Sequence, residues 1–180
     1  MPDPLTLTVL GGVAAAEGIK FLYGQAFELL KGWRERRAAG KEGELRVPIV
    51  SNTILDAKPG DPVADPTVVE REESALVDLV GALSPYAQGL ADIKVNDEKL
   101  AERAGVLRAL LEAAYGQRFT LRGEQREPTG ARVTVRQALG DLHGEAVGFQ
   151  GEPTGILDVD QEVKTIGPGG KLYGVRQSDT

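Results

Sequence analysis

Cysteine and histidine, residues often used for catalysis and metal binding, are almost missing from this chain. Among its 180 residues there is no cysteine and one histidine, His143. The absence of cysteine excludes disulfides, thiolate metal sites and cysteine nucleophiles. A single histidine is too few for a histidine-based metal centre and leaves one candidate base for a Ser-His-Asp arrangement. We therefore expect no metal and no cofactor, and we predict that the protein is not an enzyme.

Positive charge is outweighed by negative charge. The chain has 21 lysines and arginines against 27 aspartates and glutamates, a formal net charge of −6. This balance gives no overall attraction to a phosphate backbone. The stretch Val9-Leu10-Gly11-Gly12 also lacks the Gly-x-Gly-x-x-Gly spacing of a dinucleotide-binding loop. We exclude nucleic acid as a partner and find no sign of a small-molecule substrate.

Apolar residues make up 41% of the chain, which is enough for a folded core, and connectors rich in proline and glycine separate the apolar stretches. We predict an α+β protein with two regions. Residues 1–116 form a mainly helical assembly region, with an extended segment at 45–56 and a linker at 57–65. Residues 117–180 form a β-rich module. The abundance of Ala, Gly, Val and Arg is typical of a bacterial genome with high GC content.

Residues 5–38 predict one long helix that ends before Gly40. Each glycine inside it costs roughly 1 kcal/mol relative to alanine, so another element must press closely against the helix. Small and apolar residues follow a heptad-like stripe, which we predict is the interface of an assembly. The stripe consists of Val9, Gly12, Ala16, Ile19, Tyr23, Ala26, Leu30 and Trp33.

The same helix supports an alternative, in which it inserts into a membrane. Its apolar run is followed by an aromatic residue in a basic cluster, the arrangement of an interfacial anchor. Glu17 and Lys20 oppose insertion, because two central charges cost on the order of 5–7 kcal/mol. In water the two form an ordinary i, i+3 contact. The membrane hypothesis involves Glu17, Lys20, Trp33, Arg34, Arg36 and Arg37.

Two further helices are marked by their ends. Asp65-Pro66 predicts an N-cap followed by the first helical residue, in a helix that breaks or kinks at Ser84-Pro85. Asn96-Asp97-Glu98 caps another helix, which Gly116 stops. The first helix and two or three further helices therefore make up the helical half.

The C-terminal region contains what we interpret as two repeat units of about 25 residues, at 127–151 and 152–177. Both begin with Glu-Pro-Thr-Gly, and each continues with a glutamine, two aliphatic residues three apart and a Gly-x-x-x-Gly segment. Alternating valines and charges between turn sequences predict strands, and we expect an antiparallel sheet. Gly167-Pro168-Gly169-Gly170 predicts a type II turn. Two units are too few to bury their own apolar face, so the module must cover it with other residues.

These observations favour a non-enzymatic interaction or assembly subunit that acts through its first helix and its β module. We expect a homo-oligomer or a protein partner, and a cytoplasmic location. The alternative is a membrane-associated effector or anchor whose first helix inserts on oligomerisation. A small hydrolase that uses His143 with Asp141 for proton transfer ranks third, because no nucleophile or metal-ligand cluster lies near them in the sequence.

Overall fold

The computed structural model describes Leu5 and residues 7–50, 53–150 and 155–176. The chain divides into two compact units, Met1–Thr129 and Gly130–Thr180. Three helices lie in the described part of the first unit, namely α1 (Leu7–Ala38), α2 (Pro66–Ala87) and α3 (Glu98–Tyr115). Strands dominate the second unit. The structure is α+β with a helical N-terminal half, as the sequence predicts.

The ends of α2 and α3 follow directly from their sequences. The Asp65 carboxylate accepts a hydrogen bond from the Thr67 amide at 2.8 Å, and Pro66 occupies the first turn of α2. At α3, Asp97 accepts from the Leu100 amide at 3.0 Å, and Gly116 ends the helix with a φ of 60°. The predicted caps are confirmed. Pro85 lies inside the last turns of α2, which ends at Ala87.

Helix α1 covers the predicted range but is interrupted near its start. Gly11 has φ 73° and ψ 161°, a backbone conformation far from helical that glycine adopts without steric cost. The continuous helix therefore runs from Gly12. Glu17 and Lys20 face solvent and form an ion pair at 3.1 Å, which confirms the predicted i, i+3 contact.

Short strands connect the helices. β1 (Leu45–Arg46) pairs antiparallel with β2 (Val63–Ala64), so the predicted linker at 57–65 contributes a strand. Leu45 and Ala64 are both buried, and their burial explains why this part of the linker is ordered against β1. The extended segment at 45–56 holds β1 at its start, while residues 51 and 52 lie outside the described part.

Residues 117–129, which we assigned to the β-rich module, belong to the helical unit. They begin with β3 (Gln117–Arg118). Phe119 is fully buried, and its ring meets those of Phe21 and Tyr115 edge-on at 5.7 and 5.8 Å. The sequence boundary was drawn at the end of α3, but the aromatic core continues beyond that helix.

The second unit contains β4 (Gly130–Leu142), β5 (Glu145–Gln150), β6 (Gly155–Ile166) and β7 (Lys171–Arg176). β4 pairs with β6 and β5 with β7, and both pairs are parallel. The predicted antiparallel sheet is therefore wrong. The turns after β4 and β6 lead into a different sheet and do not form hairpins. The chain between Leu142 and Gly155 supplies the long connection that parallel strands require.

The chain of the second unit therefore winds round twice, and we call this arrangement the parallel coil. β4 and β5 form its first coil, and β6 and β7 form its second coil. Its register places Gln137 beside Gln161 and Leu142 beside Ile166. Strand register alone does not establish a duplicated sequence, so the internal repeat at 127–151 and 152–177 stays a prediction. Residues 151–154 and 177, which belong to these units, lie outside the described part.

The turn between β6 and β7 has the predicted form. The Gly170 amide donates to the Gly167 carbonyl at 2.9 Å, and Gly169 has a φ of 84° after Pro168. A positive φ at this position is the requirement of a type II turn that glycine meets.

Candidate interaction surfaces

The predicted interface stripe of α1 lies mostly inside the first unit. Ile19, Ala26, Leu30 and Trp33 are buried in the core where α1 packs against α2 and α3. The rest of the stripe is more open: Ala16 and Tyr23 are half-buried and Gly12 is exposed, while the side chain of Val9 is not described.

Two glycines of α1 show which residues approach the helix closely. A Cβ atom at Gly18 would lie 2.6 Å from Cδ1 of Leu121, and one at Gly32 would lie 2.8 Å from Cγ2 of Val47. At Gly12, by contrast, a Cβ atom would meet nothing within 4 Å. The close approach indicated by these glycines is therefore made, at two positions, by residues of the same chain.

The residues of the membrane hypothesis are tied into this unit. Trp33 is only 5% exposed, and its indole N–H donates to Glu73 at 3.3 Å. Arg37 pairs with the same carboxylate at 3.0 Å and Arg34 at 3.7 Å. The Trp33 hydrogen bond, helped by the two guanidinium groups, holds the pKa of Glu73 below its ordinary value. Arg36 lies over the Trp33 ring, 5.9 Å from its centroid.

These contacts place the Trp33 ring in the interior of the first unit. In the described part of the chain, no helix combines the length and the apolar content needed to cross a membrane.

A groove of about 310 Å³ runs between α1 and α2. Phe27 and Val77 stand at its opening with 49% and 39% of their surfaces exposed. The Phe27 ring stacks on Tyr23 with centroids 6.3 Å apart. Sequence reasoning missed Phe27 because it follows Ala26 and leaves the stripe, although its i, i+4 spacing from Tyr23 was an available signal.

His143 lies at the exposed turn between β4 and β5, and its ring packs where a Cβ atom of Gly167 would be. Within the described residues no hydrogen bond or ion pair joins it to Asp141. Groups of three or more metal-ligating side chains are likewise missing from the described part.

Glutamines line the inside of the parallel coil. The side-chain amides of Gln161 and Gln137 meet with 2.7 Å between their polar atoms, and Gln137 donates to the Val147 carbonyl at 3.2 Å. Gly148 lies beside this pair. A Cβ atom there would be 3.2 Å from the end of the Gln161 side chain and would collide with Val159 and with the Gly174 carbonyl. A slip by one residue would turn these amides to the outside, so the glutamine pair helps to fix the register.

A buried polar cluster holds the chain segment that follows β1. The Gln25 side chain donates to the Tyr115 hydroxyl at 2.5 Å and accepts from the Val50 amide at 2.8 Å. Tyr115 donates in turn to the Val47 carbonyl at 3.4 Å. Burial raises the pKa of Tyr115 to about 12 from its ordinary value of 10. These hydrogen bonds hold Val47 and Val50 against α1 and α3.

The raised pKa makes stability depend on pH in the alkaline range. Because the folded protein keeps the Tyr115 proton longer than the unfolded chain, this contribution is complete below pH 10 and is lost as the pH rises through 12. At pH 11 the loss should be about 1 kcal/mol. Urea unfolding at pH 8 and pH 11 should therefore show a smaller decline for Tyr115→Phe than for the parent. Equal declines in the two proteins would contradict this assignment.

No known protein family, curated protein or solved structure matches this chain significantly.

Proposed function

We propose that this chain is a non-enzymatic assembly subunit that associates through the open end of its β module. The proposal rests on how the strands of the second coil, β6 and β7, are paired. Among the described residues, β6 pairs only with β4, and β7 pairs only with β5. Within the described part of the chain, β6 therefore lies at the edge of its sheet and presents one side without a strand partner.

An open strand edge is a row of backbone N–H and C=O groups that can pair with another chain. β6 extends over Gly155–Ile166, which is long for an edge strand. Stacked repeats also need about three units to bury a continuous core, and this module has two coils. Association with another chain would supply both the missing hydrogen bonds and the missing cover.

The glutamine pair inside the parallel coil favours association in one defined arrangement, as opposed to unspecific aggregation. The paired amides of Gln137 and Gln161 fix how β6 lies on β4. The N–H and C=O groups at the open edge of β6 are then fixed in place. A partner strand can therefore pair with them in a defined register.

In this proposal α1 makes a smaller contribution to assembly than the sequence suggests. Four of its stripe residues are buried by the chain itself. Among the stripe residues whose side chains are described, Gly12, Ala16 and Tyr23 remain open to a contact through α1. We regard it as secondary to the β module.

The proposal predicts self-association that protects the open edge. Light scattering after size exclusion should give a mass above that of one chain, rising with concentration. Hydrogen exchange followed by mass spectrometry should show that amides of β6 and β7 exchange more slowly as the concentration rises. Peptides from α3 serve as the internal control, because their amides are already bonded within the helix.

Two results would overturn this assignment. A constant monomer mass over the whole concentration range would remove the assembly. An oligomer whose β6 and β7 amides exchange at an unchanged rate would show that another surface makes the contact.

A further inference from the structure

We infer that the partner at the open edge is a second copy of this chain, and that the two β6 strands pair antiparallel across a two-fold axis at Val163. In this arrangement Glu162 of each copy lies opposite Lys164 of the other. The inference rests on the proposed function and specifies its partner, symmetry and register.

The exposed and half-buried faces of β6 restrict how two copies of this strand can pair. Along the strand, Asp160, Glu162 and Lys164 are exposed, while Gln161 and Val163 between them are half-buried. Opposed residues of antiparallel strands lie on the same face of a sheet. A two-fold axis perpendicular to the sheet keeps the exposed side chains of both copies outside. One residue of β6 must then sit on the axis and face its own counterpart, which is an isologous contact.

Charge distinguishes between the positions that this axis can take. An axis at Glu162 sets two glutamates against each other, although it also places Asp160 opposite Lys164 twice. An axis at Lys164 sets two lysines against each other. An axis at Gln161 places Asp160 opposite Glu162 twice. Like charges directly opposite each other destabilise a strand pair. Each of these three registers therefore contains at least one like-charge pair among the exposed side chains of the strand.

The axis at Val163 removes these repulsions. It brings two Glu162–Lys164 pairs into opposition, one on each side of the axis, and it sets the half-buried Val163 side chains together. An axis at Thr165 would leave most of β6 without a partner strand. The charge sequence Glu162, Val163, Lys164 is therefore complementary to itself when it is reversed, which is what a two-fold contact requires.

Charge reversal tests the register. Glu162→Lys and Lys164→Glu should each raise the dissociation constant about tenfold, because each turns two attractive pairs into repulsive ones. The double variant restores opposite charges and should return to within about threefold of the parent. The two single variants, mixed in equal amounts, should form a heterodimer with near-parental affinity, because the lysines of one copy then face the glutamates of the other.

A cysteine test fixes the axis position. The chain has no natural cysteine, so an introduced one can only cross-link to its own counterpart. Val163→Cys should give a covalent dimer under mild oxidation with copper phenanthroline, since opposed Cα atoms in an antiparallel pair lie within disulfide range. Thr165→Cys, two positions away on the same strand, is the matched control and should cross-link poorly. Adding Glu162→Lys to Val163→Cys should lower the yield.

The outcomes distinguish the two-fold pairing of β6 from the more general proposal that the chain assembles through its open edge. A parent that stays monomeric at all concentrations overturns both. A parent that assembles, with unchanged affinity in the single charge variants and equal cross-linking at 163 and 165, overturns the two-fold pairing and leaves assembly through the open edge in place. Recovery in the mixed single variants, together with cross-linking confined to position 163, supports the pairing.

Discussion

Replacing Glu124 by leucine should lower the free energy of unfolding by about 3–5 kcal/mol, because it removes one partner of a buried ion pair. Oε1 of Glu124 lies 2.6 Å from Nη1 of Arg108, and their side chains are only 4% and 2% exposed. The second carboxylate oxygen accepts from the Leu121 amide at 2.8 Å. The variant therefore takes a carboxylate away from a buried guanidinium and a backbone amide together.

Urea unfolding measures this effect in the correct unit, because the only tryptophan, Trp33, lies in the first unit and reports its unfolding by fluorescence. Asp61→Asn is the matched control, since Asp61 pairs with Arg46 at 2.6 Å on the surface and should cost less than about 1 kcal/mol. The double variant Arg108→Leu/Glu124→Leu should recover part of the loss, because it removes both charges. Similar costs for Glu124→Leu and Asp61→Asn would contradict the buried pair.

Phe119→Ala should also cost about 3–5 kcal/mol, since it empties a fully buried position between two aromatic rings. Part of the cost is lost burial, and part is the cavity that Phe21 and Tyr115 cannot fill. Phe27→Ala is the control at the surface. Its ring is 49% exposed, and the variant should unfold with a loss near 1 kcal/mol.

Thermal and urea unfolding, both followed by Trp33 fluorescence, give the comparison. If Phe119→Ala costs no more than Phe27→Ala, Phe119 does not link the segment after α3 to the helices. If neighbouring side chains partly refill the cavity, Phe119→Ala should lose an amount of unfolding free energy between these two values. Phe119→Leu identifies this case, because leucine retains most of the volume and leaves little cavity to refill.

Helix ends were the part of the fold that could be predicted from the sequence. Asp65-Pro66, Asp97 and Gly116 act through contacts with residues only a few positions away, so their roles follow from local chemistry. The Gly167–Gly170 turn was predictable for the same reason. Neither inference needed any knowledge of what lies across the fold.

The direction of strand pairing could not be predicted in this way. Alternation of valines and charges has the same period in parallel and antiparallel sheets, so it indicates strands without their order. The connecting turns decide the direction, and one of the three connections lies at 151–154, where the sequence Gly-Glu-Pro-Thr is compatible with a hairpin or a corner.

The residues that approach the glycines of α1 were also beyond sequence reasoning. Small residues on a helix indicate that something approaches closely, but they do not distinguish another chain from the same chain. Val47 and Leu121, which fill the space at Gly32 and Gly18, come from segments distant in sequence. The exposed Phe27 was missed because a stripe drawn through Ala26 assigns the adjacent position to the polar side.

The parallel coil has a consequence for how such a module can change in length. Each coil returns the chain to the same orientation, displaced by one strand spacing of roughly 4.8 Å along the stack. An insertion of one whole coil after β5 would therefore move the last layer outward by one strand spacing. The terminal layer would keep the same exposed side chains, so such an insertion would change the height of the module and leave the charges at its end unchanged.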